Sequence, residues 1–176
     1  MLEQRIQQQF FDSADLLYQA AESLARPLAD ALQAVVGSIT GGGKLLVAGG
    51  ALAPHAAALF IDGFERERPP LAALALAAGT APLQALGQPG DVLLLLDDRL
   101  APAAARALVD AAHDKDMTVI AFTGPAPEWL ATLTETDVLI AVPHERPARV
   151  RELQLLMLHA LADAIDLQLM GEQDPA

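Results

Sequence analysis

Cysteine is absent from the 176 residues, which excludes a disulfide framework, a thiolate metal site and a cysteine nucleophile. Nothing therefore points to an oxidising compartment, and a cytoplasmic location is expected. Positive charge is scarce as well: 11 Lys and Arg stand against 23 Asp and Glu, a formal net charge of −12. A surface of that sign releases no counterions from a phosphate backbone, so direct nucleic-acid binding is set aside as a function class. The opening Met1–Gln9 stretch is polar where a signal peptide would be apolar, and no membrane partner is expected. Internal repeats, linkers and low-complexity tracts are missing too. The chain reads as one domain over residues 1–176, and a protein of this length buries roughly 70% of its unfolded surface.

What the chain has in quantity is apolar side chain, 53% of residues, much of it Ala and Leu. That is more than a monomer needs, and it predicts further burial by self-association. Ile6, Phe10, Ala14, Leu17, Ala21 and Leu24 recur in steps of four and three, the seam of a helix packed lengthwise on another. Pro27 is expected to interrupt it, with a second helix from Leu28 to Ile39 ending at Gly41, Gly42 and Gly43. Residues 1–40 are thus read as N-terminal helices used in oligomerisation.

Residues 44–143 alternate short apolar runs with Ala-rich stretches. The runs Leu45–Ala48, Leu71–Leu76, Val92–Leu96, Val119–Phe122 and Val138–Val142 are continuous in polarity. They predict an α/β fold with a five-stranded parallel sheet covered by helices on both faces. Crossover helices are expected at 54–67, at 101–115 and near Trp129, which is read as a packing residue. The connection 77–90 has room for a turn or two of helix only. A helix over 146–170, apolar nearly all round, is expected to be buried on several sides. A homodimer or homotetramer joined through the terminal helices follows.

Several stretches in order resemble the sugar isomerase (SIS) family, with its flavodoxin-like three-layer fold. The resemblance is especially to the phosphoheptose isomerase branch and to the DiaA branch, which associates with the bacterial replication initiator. The stretches are Gly42-Gly-Lys-Leu-Leu-Val-Ala-Gly49, Phe64-Glu-Arg-Glu-Arg-Pro69, Pro89-Gly-Asp-Val-Leu-Leu94, Asp116-Met-Thr-Val-Ile-Ala-Phe-Thr-Gly124 and Ala148-Arg-Val-Arg-Glu-Leu-Gln154. Phe64–Pro69 and Gln173-Asp174 lean toward the initiator-associated branch. The resemblance implies a phosphate cradle made of Gly-Asn-Gly-x-Ser after the first strand and Ser-Thr-x-Gly-Asn-Ser after the third. Here those loops read Gly49-Gly-Ala-Leu-Ala-Pro54 and Asp97-Asp-Arg-Leu-Ala-Pro102, with no hydroxyl in either. Like charges repel a phosphate and Arg99 offsets only part of that. The expectation is a non-catalytic, homo-oligomeric protein-binding factor linked to replication initiation. The alternative is a sedoheptulose 7-phosphate isomerase or a sensor of sugar phosphates.

In an enzyme of this kind the resemblance makes Glu152 and His159 the general acid and base that move a proton between adjacent sugar carbons. Gly49, Gly50, His55, Asp97, Asp98 and Arg99 are the ligand-binding candidates. Each has a plainer reading. His159 suits a satisfied core histidine and His55 helix packing or exposure, while Glu152 suits an ion pair with Arg149 or Arg151. Asp97-Asp98 is read as the cap of the helix starting near Ala101 in preference to a magnesium site. His113 and His144 are scattered, and no metal or cofactor is expected.

Overall fold

A computed structural model describes residues 1–97, 100–125 and 127–171. The apolar runs become β1 (Leu45–Ala48), β2 (Ala73–Ala75), β3 (Val92–Leu96), β4 (Thr118–Thr123) and β5 (Val138–Ala141). Every pairing is parallel and the order across the sheet is β2-β1-β3-β4-β5. Alternate side chains go to opposite faces. Leu45, Val47, Leu94, Leu96, Ile120, Phe122 and Ile140 enter one core with helices α1 (Leu2–Thr40), α2 (Ala53–Asp62) and α5 (Pro147–Met170). Leu46, Leu93, Leu95, Val119 and Ala121 enter the other, with Leu83 of α3 (Ala81–Leu86) and Leu108 and Val109 of α4 (Pro102–His113). Both faces are covered, which is why the strands carry no polar alternation.

Four expectations need correction. Pro27 does not divide α1, which runs unbroken through it. A proline removes one helical hydrogen bond and costs about 3 kcal/mol in an isolated helix, but buried Leu16, Ala20 and Leu24 before it and Ala31 and Val35 after it keep both halves seated. The first part of the N-terminal seam is open, with Ile6 59% and Phe10 72% exposed. The strand expected over 71–76 keeps only Ala73–Ala75, because β2 is an edge strand paired on one side. Near Trp129 there is one short 3-10 turn, Leu130–Thr132.

α5 is long and apolar enough to cross a membrane by length and composition alone, with 44% of that apolar stretch buried inside the fold. Val150, Leu153, Met157, Leu158, Leu161 and Ile165 all enter the first core, so its hydrophobicity serves the packing of a core helix.

Candidate functional site

From β1 the chain crosses outward to β2, whereas β3, β4 and β5 follow in the other direction. A parallel sheet opens a crevice outside the carboxyl ends of the two strands where the order reverses, here β1 and β3. β1 leaves through Gly49 and Gly50, both at positive φ, 89° and 58°. A Cβ on Gly49 would stand 2.5 Å from the carbonyl oxygen of Leu96 on β3, so this exit demands glycine.

The turn feeds α2, and the loop after β3 feeds α4. Neither helix has a side-chain cap at its start, and each has a proline in its first turn. The start of α2, the 77–80 loop, Leu100 and, on the side of α4, Ala104, Ala107 and Leu108 line a cleft of about 540 Å³. Thr80 brings a hydroxyl to a wall otherwise made of backbone and apolar groups. Free N–H groups at a helix start, with the helix dipole behind them, favour an anion.

Gly49 and Gly50 line this cleft. Asp97 is engaged elsewhere on both oxygens: Leu100 N–H donates to Oδ1 at 3.0 Å and the Trp129 indole N–H to Oδ2 at 2.9 Å. Its expected capping of the next helix is corrected accordingly. The α4 cap is Ala101, and Asp97 takes the N–H just ahead of it, folding the loop onto buried Trp129. Fully buried Gln154 reaches over from α5 and donates to the carbonyls of Asp97 (3.1 Å) and Phe122 (3.0 Å). Asp98 and Arg99, and the Gln173-Asp174 tail, lie outside the described residues.

His55, in the first turn of α2, meets His159 of α5, with Nε2 atoms 3.3 Å apart. The other side of the His159 ring carries Phe64, stacked at a centroid distance of 5.0 Å and an interplanar angle of 27°. In such a pair one imidazole nitrogen donates and the other accepts, the direction being set by which ring carries the Nε2 proton.

Glu152 is not part of this group. Its carboxylate accepts hydrogen bonds from Arg149 Nη1 at 2.5 and 2.6 Å and from the Ser13 hydroxyl of α1 at 2.8 Å. Arg149 is itself buried and also donates to Ser13 and to both oxygens of Gln9. Desolvation pushes the Glu152 carboxyl up, but the hydrogen bonds from Arg149 and Ser13, with the charges of Arg149 and Arg146, outweigh it and hold the group below its ordinary 4.5. The structure therefore joins His55 to His159 and leaves Glu152 clasping α5 to α1.

Sequence reasoning gave no role to Phe64, Ser13, Gln9, Arg68 or Asp166. Asp166 left a trace: it is an acid on the apolar stripe of α5, two turns after His159. His113 pairs with Asp137 at 2.8 Å at the opposite end of the sheet, and His144 Nδ1 accepts the Arg146 N–H. Among the described residues no three His, Cys, Asp or Glu side chains gather closely enough to hold a metal ion.

No family model matches the sequence. The phosphoheptose isomerase of Methylibium petroleiphilum is 55% identical, over 99% of this chain and 98% of that protein. The phosphoheptose isomerase of Aromatoleum aromaticum is 40% identical, over 97% of each. Among solved structures, phosphoheptose isomerase from Neisseria gonorrhoeae superposes with a TM-score of 0.83 at 33% identity, covering 94% of this chain and 99% of that one. Relatives of this name along the whole chain overturn the expectation of a non-catalytic initiator-associated factor, which weighed two loops against the rest of the sequence.

Proposed function

Because the chain belongs to the phosphoheptose isomerase family of SIS-fold proteins, we propose that it is an aldose–ketose isomerase of a phosphorylated sugar, with sedoheptulose 7-phosphate the substrate to assay first. The observation that carries this reading is the His55–His159 pair, with His55 in the first turn of α2, the helix that follows β1.

Isomerisation moves a proton between neighbouring carbons of the open-chain sugar through an enediol. Once the sugar parts the two rings, the imidazole whose Nε2 accepted the His–His hydrogen bond takes the proton from the carbon beside the carbonyl, while the Nε2–H of its partner protonates the carbonyl oxygen. Returning the proton to the adjacent carbon, with the roles of the two oxygens exchanged, gives the isomer. General acid and base help of this kind supplies about 10²- to 10⁴-fold in rate. The phosphate is assigned to the uncapped start of α2, which lines the cleft and where backbone N–H groups stand in for the missing hydroxyls.

The test is turnover of sedoheptulose 7-phosphate by purified protein, with a loss of about 100-fold or more in His159→Asn and His55→Asn. Absence of turnover, together with no rise in melting temperature on adding the sugar phosphate, would refute the reading, since a ligand that prefers the folded state stabilises it by mass action.

We also propose that the protein works as a homo-oligomer in the cytoplasm. Support comes from an apolar groove of about 440 Å³ between α1 and α5, lined by residues such as Leu17, Leu24, Leu28, Leu156 and Met157. Exposed Ile6, Phe10 and Phe11 continue the same helix.

A further inference from the structure

We propose that the buried Arg68–Asp166 ion pair is a positioning device for the two histidines: it fixes residues 63–70 so that Phe64 roofs His159, and it holds α2 where His55 meets that ring. Both side chains are 1% exposed. As a source of stability alone such a pair is a poor choice, because two desolvated charges do no better than well-packed apolar residues of the same size. Its directionality is what an apolar pair lacks.

Asp166 accepts from Arg68 Nε and, through Oδ2, from the backbone N–H of Phe64 at 3.1 Å. The Arg68 guanidinium also donates to the carbonyls of Phe60 (2.9 Å) and Leu59 (3.2 Å), in the last turn of α2, and to that of Pro69 (3.2 Å). One ion pair thus ties together the end of α2, the chain that leaves it, and α5. Gly63 turns that chain at φ 88°, and Phe64 follows with its backbone on Asp166 and its ring on His159. His159 and Asp166 lie two turns apart, on one side of α5. The chain of contacts runs from Asp166 to the Phe64 backbone, from the Phe64 ring to His159, and from His159 to His55.

The effect on turnover rests on the isomerase reading above, whereas the geometry does not, and the experiment keeps the two apart. Arg68→Lys retains the charge and loses the fork to Leu59 and Phe60, and Asp166→Asn retains the shape and loses the charge. In the full chain, proton–carbon NMR of the His159 ring reports the stacking, because a ring lying on Phe64 has its C–H signals shifted upfield. Phe64→Leu calibrates that shift and His159→Asn assigns it. The expected result, at a temperature where circular dichroism shows each variant folded, is that Arg68→Lys and Asp166→Asn move the His159 signals toward their Phe64→Leu positions. With sedoheptulose 7-phosphate the same variants lose about tenfold or more in kcat with little change in KM, as expected for lost alignment, and so does Phe64→Leu. His159 signals that stay at their wild-type positions while the melting temperature falls would reduce the pair to a staple and overturn the proposal. An unchanged kcat in Phe64→Leu, where the wild type turns over, would do the same. Lack of turnover in the wild type would count against the isomerase reading alone, and the NMR arm would still decide the positioning.

Discussion

Helix α5 meets an arginine–carboxylate pair near each end, and the two differ in burial far more than in chemistry. At its start Arg149 is 4% exposed and Glu152 45% exposed, so water competes for the carboxylate and the pair does little more than hold α1 alongside. Toward its end Arg68 and Asp166 are both 1% exposed, and each is the other's counter-charge in a site that water does not reach. The same two functional groups make a clasp at one place and a rigid joint at the other.

The sharpest way to break this comparison is Asp166→Ala, which strands the Arg68 charge in the interior; a loss of about 3–5 kcal/mol in denaturant unfolding is expected. The double replacement Arg68→Met with Asp166→Leu removes both charges and restores volume. Its stability should return to within about 1–2 kcal/mol of the wild type, while the upfield position of the His159 ring signals is not restored. At the other end Glu152→Gln should cost less than about 1 kcal/mol in the same unfolding assay, as partly exposed pairs do.

Smallest of all is a pH effect. A carboxyl held below its ordinary 4.5 in the folded chain contributes stability that is fully present above that value and is lost as pH falls through the lower, folded-state value. Melting curves taken downward from pH 5 should therefore show a slightly shallower acid loss for Glu152→Gln than for the wild type. Identical slopes would mean that the clasp carries no charge-dependent stability.

Much of the architecture could be read from residue order. Val92–Leu96 is uninterrupted because β3 is buried on both faces, and α5 is apolar nearly all round because it packs on both α1 and the sheet. Pro27 misled, since its local cost is visible in a sequence and the packing that carries α1 through it is not. Gly49 and His159 were found from local pattern and resemblance. The partnership of His159 with His55 was not, because it joins residues 104 apart in the chain, whose meeting depends on how α2 lies against α5. Asp97 was read first as the cap of the helix near Ala101 and also as a ligand-binding candidate, yet its partners are Leu100, ahead of that helix, and Trp129, 32 residues away. The functional expectation failed for a different reason: it weighed the hydroxyls missing from two loops against a resemblance along the rest of the chain, and relatives named phosphoheptose isomerase over nearly the full length favour the latter.

The exit of β1 has a bearing on how this scaffold can be altered. A Cβ at position 49 has no room against the backbone of β3, so that glycine is required by the sheet whatever the loop beyond it recognises. Beyond it Gly50 keeps a positive φ of 58° and Ala53 is buried in the core, which leaves exposed Ala51 and Pro54 as the positions where a new specificity would be grafted, a replaceable tip on a fixed hinge.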